Sequence, residues 1–258
     1  MTVHFIGAGP GAADLLTLRA AALMATSPVC LYAGTYVTEE MLAHCPEGVE
    51  LVDTAVVDLD EQVAIMKRAT DEGKDIARLC SGDPSIYSAI AEQTRRLDRE
   101  GIEWDVTPGV PAYAAAAALV GKELTVPEVA QTVVLTRAQR DSTRMPPEES
   151  LRELAKSHAT LVLHLAIRFV RELQQTLVPE YGEDCPVVVV SRAEQPEELV
   201  LRGTLGDFAD QVEAHGLKQA AIIMVGWALD AEDFPDSHLY RTRSARLEGG
   251  DAKDPVGR

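Results

Sequence analysis

The sequence predicts an α/β protein of two domains, and three observations carry that prediction. Short apolar runs alternate with segments of helical periodicity along most of the chain, and several of those runs end in glycine-rich turns. The alternation then breaks around residues 120–127, where "GKELTVPEVAQ" carries Pro127, before a second series begins. With 258 residues, 46% of them hydrophobic, the chain can fill cores of that size. The expected division is residues 1–120, residues 121–235, and a mobile tail over 236–258 that has little to bury.

In the first half, apolar strands are predicted at 3–6, 29–32, 49–53, 76–79 and 103–106. Helices are predicted near 14–24, 59–71 and 86–100. The helix at 59–71 shows the pattern: Val63, Met66 and the Ala69-Thr70 pair recur at helical spacing, with Glu61, Lys67, Arg68 and Asp71 on the other faces. Asp83-Pro84 suits the start of the helix at 86–100. The alanine-rich stretch 111–120 opens on Pro111 and closes at Gly121, a C-cap residue type.

The second half reads as strand 131–136, the polar loop "RAQRDSTRMPPEES", helix 150–157, strand 160–165 and helix 167–177. Strands at 186–191 and 199–203, joined by "RAEQPEE", suit an antiparallel hairpin, which would make this sheet mixed. A helix at 205–215 and a strand at 220–225 complete it.

Bulk chemistry removes several function classes. Lys plus Arg number 24 against 41 Asp plus Glu, a net charge of −17 that repels a phosphate backbone, so no nucleic acid partner is expected. The N-terminus has no basic segment followed by an apolar run, and nowhere do about 18 apolar residues follow one another, so a soluble cytoplasmic protein with no membrane partner is expected. Cys30, Cys45, Cys80 and Cys185 lie far apart without a C-x-x-C pair; buried free thiols are expected, and neither a disulfide framework nor a metal site.

The glycine turns carry the functional signal. Gly7, Gly9 and Ala12 satisfy G-x-G-x-x-A between a strand and a helix, which formally fits a nicotinamide-dinucleotide oxidoreductase domain. Against that reading, Ala33 and Gly34 stand where an acid should bind a ribose hydroxyl, and Pro10 has no N–H to offer a pyrophosphate. A second turn, "LCSGDPSIYSAI", follows strand 76–79, and a third, "VTPGVPAY", follows strand 103–106. Strand ends in an open α/β sheet are where ligands bind, so the turns together point to a cleft.

The set "FIGAGPGAADLLT", "LYAGTYV", "SGDPSIYSAI", "VTPGVPAYAAAAALVGKELTVPEVAQTVVLTR" and "SRAEQPEELVLRGTL" resembles the tetrapyrrole (corrin/porphyrin) methylases, in order and at matching spacing over roughly residues 3–228. The resemblance implies two α/β domains with mixed sheets, an interdomain cleft holding S-adenosylmethionine as methyl donor, a tetrapyrrole substrate and a homodimer. Residue by residue it implies donor contacts at Pro10, Ser81, Gly82, Asp83, Ile86, Pro111, Ala112, Leu165 and Ala193. Ala33 follows Tyr32 where sirohaem-branch relatives carry an aspartate, so no general base is assigned. A cleft that binds a tetrapyrrole without turning it over also fits these residues.

A polycarboxylate substrate needs local cations in so acidic a chain, and Arg137 and Arg140 are the candidates, with Arg78, Arg168 and Arg192 also flanking turns. His164 within "TLVLHLAI" is read as a wall residue of core or cleft, with a catalytic role as the alternative. Tyr87 and Tyr113 are read as packing either on ligand or within helices.

Overall fold

A computed structural model describes residues 1–34, 36–139 and 144–236. Arg140 and positions 237–258 of the expected tail lie outside the described residues.

Five strands form a wholly parallel first sheet: β1 (Thr2–Gly7), β2 (Val29–Tyr32), β3 (Glu50–Asp53), β4 (Ile76–Cys80) and β5 (Glu103–Thr107), in the order β3-β2-β4-β1-β5. Both faces of this sheet are covered, which is why its inner strands read as apolar runs. Val3 and Phe5 of β1 pack on α3 (Leu59–Asp71) and α4 (Ile90–Glu100) with Met66, Ala69 and Leu97. Ile6 faces the other way, toward Ala20, Met24 and Met41 of α1 (Leu18–Thr26) and α2 (Glu39–Leu42). Helix α3 opens on a capping box, in which Asp58 accepts from the Glu61 amide (2.9 Å) and Glu61 from the Asp58 amide (3.0 Å).

The second sheet is mixed. Strands β6 (Val133–Arg137), β7 (Thr160–His164), β8 (Pro186–Ser191), β9 (Leu199–Thr204) and β10 (Ala221–Val225) run in the order β6-β7-β10-β8-β9. Among the described residues of this sheet only β6 and β7 pair in parallel, and β8 with β9 forms the expected antiparallel hairpin, from Pro186 opposite Thr204 to Ser191 opposite Leu199. Leu161, Leu163, Val187, Val189 and Ile223 face a layer that includes α7 (Val170–Tyr181) and α8 (Phe208–Ala214), with the short α6 (Leu151–Ala155) beside α7.

Helix α5 (Ala112–Val120) covers the opposite face. Its Ala115, Ala116 and Val120 share one core with Val162, Val188, Val190, Ile222 and Met224 of the second sheet. The sequence expectation grouped this segment with the first sheet. An alanine-rich helix has no polar stripe to mark which sheet it lies on, so only packing decides.

Other differences are local. The helix expected at 86–100 starts at Ile90, because Tyr87 and Ala89 hold left-handed φ values of 55° and 52°, and Asp83 therefore does not cap it. The helix expected at 14–24 divides into a 3-10 turn at Ala13–Leu15 and α1, whose first turn is capped by the Thr17 hydroxyl accepting from the Ala20 amide at 3.1 Å. The helix expected at 167–177 begins as a 3-10 turn and runs on to Tyr181, past Pro179.

Candidate active site

Because the first sheet is parallel, the turns after β1, β4 and β5 emerge at one edge, and there they interlock. The Gly9 amide donates to the Gly82 carbonyl (3.1 Å), the Gly82 amide returns a bond to Gly9 (2.8 Å), and the Ala8 amide donates to Cys80 (2.8 Å). Gly7 and Gly109 lie back to back: a Cβ on Gly7 would stand 2.6 Å from the Gly109 Cα and 2.9 Å from the Gly82 carbonyl oxygen. Asp83 ties the third turn in, accepting from the Gly109 amide (2.8 Å), the Ser85 amide (2.9 Å) and the Ser85 hydroxyl. Partial burial works against its charge, yet these donors outweigh that effect and hold the carboxyl below the usual carboxylate range.

The same bonds bear on the dinucleotide alternative. A phosphate loop needs free amides, but those of Ala8 and Gly9 are spent on the second turn and Pro10 has none. The Gly34 amide is likewise engaged, by Asp53 from the end of β3 at 3.1 Å. The first turn therefore has no free amide to offer a phosphate at Ala8, Gly9 or Pro10.

The second sheet brings the opposite wall. Gln195, between β8 and β9, donates its Nε2 to the Pro10 carbonyl at 3.3 Å, and a Cβ on Gly11 would come within 2.8 Å of the Ala193 and Glu194 carbonyl oxygens. Gln195 and the close approach at Gly11 were not singled out from sequence. The available signal was a polar residue before Pro196 in the hairpin loop and a glycine in excess of what the first turn needs.

Between the walls lies a cavity of about 560 Å³, within the ordinary range of small-molecule sites. Pro10, Ser81, Gly82, Asp83, Ile86, Pro111, Ala112, Leu165 and Ala193 all line it, together with apolar Val190, Ala221 and Ile222. Five wall residues, Tyr87, Ala89, Leu165, Arg192 and Ala220, hold φ between 50° and 55° without being glycine. Each such residue costs on the order of 1–3 kcal/mol, a strain that concentrates at ligand sites.

The cations differ from expectation. Arg137 ends β6 and does not line the cavity; its guanidinium donates to the Ala138 carbonyl at 3.4 Å. Arg78, Arg168, Arg192 and Lys218 line it instead; Asp83, whose oxygens are already engaged, is the one acid among the described lining residues, and Arg192 pairs with Glu197 outside the lining at 3.6 Å. Arg78 is 8% exposed, its Nε donating to Gln93 Oε1 at 3.0 Å, and burial lowers its pKa from the usual arginine value. A charge inside the apolar run "IARLC" was its sequence signal; Lys218 gave none.

His164, at the end of β7, also lines the cavity. Its Nε2 is buried without a hydrogen-bond partner among the described residues, and burial pushes its pKa down to about 4, so the imidazole is neutral at physiological pH.

Residues 2–209 match the family described as Tetrapyrrole (Corrin/Porphyrin) Methylases. The chain is a tetrapyrrole methylase. Among curated relatives of this tetrapyrrole methylase, a precorrin-4 C(11)-methyltransferase of Rhodococcus erythropolis is 55% identical over 246 residues, covering 95% of this chain and 99% of the relative. Among solved structures, a cobalt precorrin-4 methyltransferase of cobalamin biosynthesis aligns with a TM-score of 0.86 at 38% identity, over 89% of this chain and 96% of the other. A uroporphyrin-III C-methyltransferase from Thermus thermophilus, complexed with S-adenosylhomocysteine, aligns at 0.74 and 25% identity, over 89% and 99%.

Proposed function

We propose that this tetrapyrrole methylase transfers the methyl group of S-adenosylmethionine to C-11 of precorrin-4, giving precorrin-5 and S-adenosylhomocysteine in cobalamin biosynthesis. The near end-to-end likeness to a precorrin-4 C(11)-methyltransferase carries the reading. The cobalt-containing substrate is the second reading, and the lower identity to a cobalt precorrin-4 enzyme, 38% against 55%, favours the metal-free one.

The cavity's chemistry suits both reactants. Small side chains at Ser81, Gly82, Ala112 and Ala193 and apolar ones at Ile86, Val190 and Ile222 leave a slot for a nucleoside and thioether. Pro10, Ser81, Gly82, Asp83, Ile86, Pro111, Ala112, Leu165 and Ala193 are the proposed donor contacts. When bound, S-adenosylmethionine supplies an electrophilic methyl on a sulfonium, and the conjugated macrocycle supplies the carbon nucleophile. The protein's part is to align the two and exclude water, and alignment of that kind is worth about 7–11 kcal/mol.

Arg78, Arg168, Arg192 and Lys218 place positive charge around the cavity of a chain whose net charge is −17, and they are the proposed partners of the macrocycle's carboxylates. Arg137, opposite His164 in the β6–β7 register, and Arg140 are proposed to meet carboxylates farther out. The enzyme is proposed to act as a homodimer in the cytoplasm; a single-chain mass in solution would refute the dimer. Incubation with precorrin-4 and an isotope-labelled methyl donor is expected to place the label on C-11. Label elsewhere, or none, would overturn the reading.

A further inference from the structure

Tyr87 and His164 line the cavity and are not among the proposed donor contacts. Tyr87 comes from the turn after β4 and His164 from the end of β7, so the pair spans the two lobes. Their ring centroids are 5.3 Å apart, with the planes tilted by 52°. Tyr87 is 46% exposed although aromatic, and it holds a left-handed φ of 55°. Such a backbone is strained for a residue with a side chain. A half-exposed aromatic ring held in place under that strain, over a cavity, is a surface waiting for a flat apolar partner.

His164 adds a polar point to that surface. Its buried Nε2 has no hydrogen-bond partner among the described residues, so a ligand atom that reaches it satisfies a polar group the protein itself leaves unpaired. Burial alone shifts the imidazole, with no charged group among the described residues acting on it; those that act on its neighbour Tyr87 are Arg137 and Glu149. Neither of these lines the cavity, so the pair stands at its β6 edge. Leu165, next in the chain, is a proposed donor contact, which puts His164 beside the junction of the two reactants.

We propose that Tyr87 and His164 seat the macrocycle: the tetrapyrrole plane rests on the Tyr87 ring, and a macrocycle nitrogen hydrogen-bonds to Nε2 of His164. Both are positioning residues for the second substrate and take no part in holding the methyl donor. The inference rests on the functional reading above.

The test separates the two substrates. Tyr87→Ala is expected to raise the KM for precorrin-4 about tenfold or more, the effect of losing one ring stack, and to leave the KM for S-adenosylmethionine and the calorimetric affinity for S-adenosylhomocysteine within about twofold. Tyr87→Phe, which keeps the ring, is expected to behave as wild type. His164→Phe, which keeps the shape and removes the nitrogen, is expected to lower kcat/KM for precorrin-4 about tenfold with donor affinity unchanged, the worth of one hydrogen bond. The inference is overturned if Tyr87→Ala leaves the precorrin-4 KM unchanged, if a Tyr87→Ala protein that melts as wild type loses donor affinity in parallel, if Tyr87→Phe is as impaired as Tyr87→Ala, or if His164→Phe leaves kcat/KM for precorrin-4 unchanged. Unchanged donor affinity also serves as the check that each variant is folded. Should the wild-type protein not methylate precorrin-4, the functional reading falls, and the seat is judged by fluorescence titration with uroporphyrin. Weaker binding by Tyr87→Ala would then support it, and equal binding would overturn it.

Discussion

Replacing Gly7 by alanine tests the interlocked turns on which the cavity is built. The added Cβ would stand 2.6 Å from the Gly109 Cα and 2.9 Å from the Gly82 carbonyl oxygen, about 1 Å inside ordinary contact, and both neighbours are backbone that cannot rotate away. Overpacking of that kind costs about 1–3 kcal/mol. Separating the turns also strains the reciprocal Gly9–Gly82 bonds, at about 1 kcal/mol each. The expected loss is thus about 3–5 kcal/mol, which at about 2–4 °C per kcal/mol lowers the melting temperature by roughly 6–20 °C. Gly73→Ala is the control. Gly73 has φ of +77°, and a Cβ added there would meet none of the described residues within 4 Å, so its substitution carries backbone strain alone, about 1–2 kcal/mol. Thermal melts and S-adenosylhomocysteine calorimetry read both variants. Gly7→Ala is expected to melt well below Gly73→Ala and to bind the donor product more than tenfold more weakly, while Gly73→Ala binds as wild type, a gap of over about 1.4 kcal/mol. If Gly7→Ala melts no lower than Gly73→Ala, the close approach of the three turns is wrong.

Three further outcomes are expected. Asp83→Asn should destabilise the protein near neutral pH. Because the folded carboxyl is held below its unfolded value, its contribution is present above the usual carboxylate range near pH 4 and is lost as pH falls through the lower folded value; urea titrations of wild type and variant should therefore converge in acid. His164 is depressed from 6.5 to about 4, so below about pH 6.5 the unfolded state binds the proton first and stability falls with pH until about 4; His164→Phe should remove that part of the slope in urea titrations. Tyr181→Phe removes the phenol that donates to the Ala159 carbonyl at 2.7 Å in the second core and should cost about 1–3 kcal/mol by urea denaturation, with donor-product affinity unchanged; a loss below about 0.5 kcal/mol would show that bond to be dispensable.

The strands and most helices were legible because their signal is local. The β1 run "TVHFIG" and the apolar spacing of α3 are set by neighbours in sequence. The start of α4 was not, because the left-handed Tyr87 and Ala89 are imposed by the turn they line, and no local propensity anticipates strain. The side of α5 was hidden for a different reason: a helix of alanines fits either sheet, and the partner with the complementary surface wins.

For the site, sequence alone pointed to the turns, through glycines at strand ends and the family pattern that Pro10, Asp83 and Pro111 belong to, and these three residues line the cavity. Tertiary structure decided how those turns are arranged. It spent the amides of Ala8 and Gly9 on the second turn, moved Arg137 off the wall while bringing Arg78, Arg168, Arg192 and Lys218 onto it, and set Tyr87 against His164 from the other lobe. Periodicity and turn chemistry are properties of adjacent residues, whereas the sign of a cavity's charge and the company of a buried nitrogen depend on which distant strands end at the same edge.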